Sequence, residues 1–208
     1  MGQVALKNTS LTPAQAMGAL AAVLPSGTSQ TALSMIAAQS ATETAAWSQM
    51  YNWNFGNVTP TAAQAISGDY VMHANTGSMR YRAFDDPYSG AASMVDWLTS
   101  HGLLAPAEGG DLPGYMAALQ AGSYLGTVGL IDGSGHTVSQ DDYTNYQNDI
   151  AGLMAQYANV QPVAPPGQWK RYIAPASLLA VGGVAAWQHK RIVPIAKAAW
   201  IWWAKKAP

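Results

Sequence analysis

The chain has no cysteine, and that absence removes disulfide staples, thiolate nucleophiles and cysteine-ligated zinc together. Charge is scarce as well. Asp, Glu, Lys and Arg make up 10% of the 208 residues, against about 25% in ordinary soluble domains, so the membrane question arises early. His73, His101 and His136 show no His-x-x-x-His spacing, and no metal or other cofactor is expected. There is no Gly-x-Ser-x-Gly elbow, and the lack of a Gly-x-x-x-x-Gly-Lys loop argues against nucleotide hydrolysis. The stretch from Met1 to Lys7 lacks a charged region leading into an apolar one, so no conventional signal peptide is expected. Leu6 stands where N-myristoylation wants Ser or Thr.

What is present is unevenly distributed. A formal net charge of -1 conceals a body, residues 1–168, with all eleven acids and three bases (Lys7, Arg80, Arg82), and a tail, residues 169–208, with seven bases and no acid. A basic, apolar, Trp-rich tail suits an anionic lipid surface. The acidic body offers no phosphate-binding stripe, so nucleic acid is not an expected partner. Length allows one catalytic-sized domain plus an appendage.

The boundary falls at Gln161-Pro-Val-Ala-Pro-Pro-Gly-Gln168, where three prolines and a glycine favour an extended spacer. This separates a body at 1–160 and a linker at 161–168 from a hydrophobic segment at 169–191 and a basic tail at 192–208. Trp169 to Trp187 is eighteen steps, about 27 Å of helix at ~1.5 Å per residue, close to a bilayer core. Aromatic and basic residues at both ends are the expected interfacial anchors. A transmembrane helix and an interfacial helix both fit, and a buried core helix or an interfacial hairpin is the competing reading. Trp200, Ile201, Trp202 and Trp203 among lysines fit the headgroup layer.

Helix signals dominate the body. Thr12-Pro13 reads as an N-cap with proline at the first helical position, leading to about Leu24. Ser29 caps a second helix to about Trp47; a third runs from Ser89 to about Ser100 with Gly102 beyond it, and Asp111 with Pro113 starts a short fourth. Tyr143, Tyr146, Ile150, Leu153, Met154 and Tyr157 recur at helical steps and define the fifth. Residues 57–84 lack helical period and carry Asn75-Thr-Gly77, which predicts a small β lobe. The expected fold class is α+β, mostly α, with a C-terminal membrane helix.

On the second helix, steps of three and four place Leu33, Ile36, Ser40, Glu43 and Trp47 on one stripe. Glu43 is one of two glutamates and stands near the C-terminal end of a helix, where the macrodipole disfavours negative charge. Burial and dipole both raise its pKa, as a general acid requires. A boundary glutamate reaching to solvent is the alternative for such a residue taken alone.

The neighbourhood of Glu43 adds to this. Ala37-Ala-Gln-Ser-Ala-Thr-Glu43-Thr, followed by Met50-Tyr-Asn-Trp-Asn-Phe-Gly-Asn57, resembles the glucosaminidase family of the lysozyme-like superfamily, which includes flagellar muramidase-type peptidoglycan hydrolases. The resemblance continues through Arg80-Tyr-Arg-Ala-Phe-Asp-Asp-Pro-Tyr-Ser-Gly to Leu98, through Gly122-Ser-Tyr124, and to Asp141-Asp-Tyr143 after an insertion of sixteen residues. It spans residues 30–158. It implies a lysozyme-like fold, Glu43 as proton donor, Tyr124 as the cleft tyrosine with Tyr143 competing, and Tyr51, Asn54 and Phe55 as sugar contacts. The family often places a second Glu on the β lobe. None exists between residues 44 and 107, and Asp69 is the closest replacement; Asp85 and Asp86 fit capping better. A single-acid route, by the substrate's acetamido group or its 6-hydroxyl, stays open.

These features imply a peptidoglycan hydrolase acting on glycan strands, tethered to a bilayer through residues 169–208. The alternatives are a non-catalytic, membrane-associated assembly protein with a glycan-binding body, and a carrier for a membrane-lytic tail. A wall enzyme without a signal peptide points to a bacteriophage protein in a virion membrane or at the bacterial envelope, with virion proteins as possible partners.

Overall fold

The computed structural model describes residues 2–59, 70–72, 80–131 and 136–165. Asp69, Asn75-Thr-Gly77, His73, the end of the spacer and the proposed membrane segment and tail lie outside the described residues. Among the described residues no helix is long and apolar enough to cross a membrane.

Six helices and a two-stranded sheet are present among these residues: α1 (Pro13–Val23), α2 (Gln30–Glu43), β1 (Tyr70–Met72), β2 (Arg80–Arg82), α3 (Pro87–Ser100), α4 (Leu104–Glu108), α5 (Leu112–Ala121) and α6 (Gln140–Tyr157). The fold is mostly α with a small β element, as expected. The caps are those read from the sequence: Thr12 forms a capping box with Gln15, Ser29 accepts from Ala32 N, and Asp111 accepts from Gly114 N. Asp86 accepts from the N–H groups of Tyr88 and Ser89 at 2.9 and 3.0 Å, so α3 begins at Pro87, two residues before its expected start. The short helix α4 has no sequence signal. Its Glu108 accepts from Ser29 N at 3.1 Å, which gives the second glutamate a role at the start of α2.

The core is built around α2. Every residue from Ala32 to Ala41 is buried, so the helix is enclosed on all sides rather than along one stripe. Small side chains make this possible: Ala32, Ser34, Ala37, Ala38 and Ala41 let α1, α4 and α6 approach closely.

Helix α2 ends at Glu43, four residues short of the expected Trp47. Ala45, Ala46 and Trp47 adopt φ of 48°, 52° and 60°, the left-handed region that costs an L-residue about 1–2 kcal/mol. Trp47 is what offsets the cost. Its ring is fully buried, its indole N–H donates to Ser40 Oγ at 2.9 Å, and its backbone N–H donates to Thr44 Oγ1 at 3.1 Å.

The sheet is antiparallel, with Val71 opposite Tyr81. The N-terminal segment runs beside it, Val4 N donating to Tyr70 O at 2.9 Å and Tyr70 N to Gly2 O at 3.2 Å. Farther along, Lys7 N donates to Asn52 Oδ1 and Asn52 N returns a bond to Lys7 O. Residues 2–9 thus lace the β element to the loop after α2. At the other end, Val163 N donates to Ala14 O at 2.8 Å, and a Cβ on Gly18 would stand 2.1 Å from Val163 O. The start of the expected spacer therefore lies on α1, with Pro165 buried.

Candidate active site

Where α2 stops, the chain turns left-handed and opens a cleft of about 340 Å³ against the sheet. Its wall includes Glu43 and Thr42 from the helix end, Gln49, Tyr51, Asn54 and Asn57 from the following loop, and Val71 and Tyr81 from the strands. Among the described residues of this wall Glu43 is the one carboxylate.

The Glu43 carboxyl is held from two sides. Tyr146, on α6, donates to Oε1 at 2.7 Å. Asn57 donates through one amide nitrogen to Oε2 at 3.1 Å and to the Glu43 backbone carbonyl at 2.8 Å. That uses both amide protons on a single residue and cancels part of the unfavourable field of the helix end. Asn57 has φ 49°, and asparagine is among the few residues that tolerate this. Burial pushes the Glu43 pKa up, while the donors Tyr146, Asn57 and Tyr124 pull it back in that order. The raised value comes chiefly from desolvation, a cause the stripe reasoning anticipated. Burial also lifts the Tyr124 and Tyr146 hydroxyls well above the usual tyrosine value, so both remain donors.

Tyr124 donates to Gly56 O at 2.8 Å, its ring centroid 6.2 Å from that of Tyr146. Behind it Trp97 lies at 4.8 Å, stacked in turn on His101 at 4.1 Å. The structure thus brings Glu43 and Tyr124 together. Tyr143 goes elsewhere: its hydroxyl donates to Gly126 O at 2.9 Å, pinning the base of the loop between α5 and α6, whose other leg is held by Val138 N to Leu130 O. Tyr146, three residues on, takes the place beside Glu43.

The sugar contacts expected in the loop divide. Tyr51 lines the cleft. Phe55 does not: it is fully buried in the core, under the bond from Ser40 Oγ to its carbonyl. Asn54 borders the cleft, but its amide is committed, donating to Val58 O and Arg82 O at 3.0 and 3.1 Å and accepting from Val58 N at 2.9 Å. It ties β2 to the loop. Asp69 lies outside the described residues. Tyr146, Asn57 and Tyr81 were not singled out from the sequence as site residues. The one available signal was the aromatic step Tyr143/Tyr146 on α6.

A half-buried carboxyl with a raised pKa, fixed by phenol and amide donors and opening on a groove of tyrosines and amides, is equipped to protonate a leaving oxygen. Among the described residues no group of three or more His, Asp or Glu is placed to hold a metal. No protein family, curated protein or solved structure matches the chain.

Proposed function

We propose that the chain is a peptidoglycan hydrolase with a lysozyme-like body that cleaves the glycan strand between amino sugars, using Glu43 as general acid. The observation that carries this is the placement of Glu43: its carboxyl ends a buried helix, has a raised pKa by desolvation, and faces an open cleft of about 340 Å³. Tyr51 and Tyr81 supply aromatic faces for sugar rings, and Tyr146 and Asn57 hold the acid in one orientation. The order of motifs from residue 30 to 158 agrees with a glucosaminidase-type enzyme. Residues 169–208, with seven bases and no acid, would tether the body to an anionic bilayer, in a virion membrane or at the envelope.

The test is digestion of purified peptidoglycan, read by mass spectrometry of the released ends, which identifies both the bond and the reaction type. Release of muropeptides by the native protein and none by Glu43→Gln supports the reading. Equal release by both defeats it.

A second reading has one observation in its favour. The described cleft wall holds a single carboxylate, where glycosidases commonly pair two about 5–9.5 Å apart. A glycan-binding assembly module would retain sacculi without releasing reducing or anhydro ends.

A further inference from the structure

Gln39 and Glu43 stand one turn apart on α2 and so face the same way. Gln39 is fully buried. Its Oε1 accepts from the Tyr115 hydroxyl, while its Nε2 has no hydrogen-bond partner among the described residues. A buried amide N–H left unused is costly and calls for an explanation. The adjoining oxygen is that of Tyr124, whose ionised form the Gln39 amide would stabilise. Tyr124 has two acceptors in reach: the Gly56 carbonyl, which it now engages at 2.8 Å, and the Glu43 carboxyl, whose charged form it favours.

We infer that Gln39 is a positioning residue for the acid: when Glu43 releases its proton, the Tyr124 hydroxyl turns from Gly56 O to the new carboxylate, and the unspent Gln39 N–H donates to the Tyr124 oxygen. The exchange is favourable because a bond to a neutral carbonyl is traded for one to an anion, and the orphaned N–H gains an acceptor. Tyr115 engages the Gln39 oxygen, so the nitrogen is the end of the amide with a hydrogen bond still to give. No covalent bond changes; three hydrogen bonds are rearranged around one ionisation.

Among the described residues, the groups that face Glu43 are Tyr146 from α6, Tyr124 from the segment after α5, and Asn57 from the loop. Tyr115 on α5 acts electrostatically on the two tyrosines. None of them is charged at neutral pH. The inference deepens the proposed role of Glu43 and rests on that reading, yet its readout is the titration of the residue, not the release of sugar.

The chain has two glutamates, Glu43 and Glu108, so full-length protein carrying ¹³Cδ-labelled glutamate shows two side-chain carboxyl signals, and Glu43→Gln identifies one. Gln39→Met is expected to move the Glu43 midpoint upward by roughly half to one pH unit, the extra strength of a bond to a charged acceptor. Tyr124→Phe should do the same, and the double variant no more than either alone. Tyr115→Phe, which leaves the Gln39 donor in place, should lower stability while moving the midpoint much less. A folded Gln39→Met protein with an unmoved midpoint overturns the inference. Should that variant not fold, the Gln39 side-chain amide signals of the native protein decide: they must shift with the Glu43 midpoint, and cease to do so in Tyr124→Phe. Amide signals indifferent to Glu43 ionisation overturn it equally. Loss of the hydrolase reading would leave these titrations intact and appear as sacculi that release no ends.

Discussion

Replacing Tyr146 by Phe removes one oxygen from a buried site and nothing else from the core. The lost bond is 2.7 Å long, from a side chain 7% exposed to Glu43 Oε1. With Glu43 ionised this is a bond to a charged acceptor, worth about 1.5–3 kcal/mol, whereas to the neutral acid it is worth about 0.5–1.5 kcal/mol. At about 2–4 °C per kcal/mol for a domain of this size, the melting temperature should fall by roughly 3–12 °C when Glu43 is charged and clearly less when it is protonated. The donor favours the carboxylate, so its loss raises the Glu43 pKa further. In activity the alkaline limb, where the acid loses its proton, should move to higher pH. Scanning calorimetry across roughly pH 4–9 and a pH–rate profile on sacculi read the two effects. A melting-temperature loss that is the same at every pH, or a limb that moves to lower pH, refutes the reasoning.

Three other outcomes are expected. Because burial raises the folded pKa of Glu43 above its unfolded value, its contribution to stability is full below the unfolded value and is lost as pH rises through the folded one; the stability of the native protein relative to Glu43→Gln should fall with pH in urea titrations, and a constant difference would contradict the assignment. A Cβ on Gly90 would lie 1.7 Å from the Trp53 carbonyl oxygen, so Gly90→Ala should cost about 1–3 kcal/mol or more, by forcing α3 away from the loop beside the cleft. Phe55→Ala should lose about 3–5 kcal/mol of stability through a core cavity, while Tyr51→Ala should keep its melting temperature and lose glycan affinity, measured by sedimentation with sacculi; the opposite assignment of effects would place the two residues wrongly.

Much of the helical frame was legible because caps are local chemistry. Thr12, Ser29, Asp86 and Asp111 each use their own oxygen on N–H groups two or three residues ahead, and this is visible in a line of sequence. The end of α2 was not. Ala45-Ala-Trp47 contains no glycine, proline or asparagine to announce a left-handed turn, and the turn exists only because Trp47 finds Ser40 and a buried slot. The stripe through Glu43 implied burial along one face, whereas α2 is buried all round and Glu43 meets the cleft because the helix ends there. Tyr143 and Tyr146 lie about 60° apart on α6, too little for periodicity to choose between them; the loop before α6 claims the first and leaves the second for Glu43. In Tyr-Asn-Trp-Asn-Phe-Gly the aromatic at position 55 looked as available as the one at 51, and only packing separates them.

The bond from Val163 to Ala14, with Gly18 beneath it, determines how the body would carry mechanical load. The last described helix, α6, ends at Tyr157; the polypeptide is then held to α2, where Gln30 Nε2 donates to Val160 O at 3.4 Å, and to α1 at residue 163. Tension applied along the chain from beyond residue 165 would therefore enter through the first helix, shearing a contact between distant parts of the sequence, before it could peel the last. Since α6 carries Tyr146, a pull on the tail would reach the hydroxyl that holds Glu43 only after this fastening had given way.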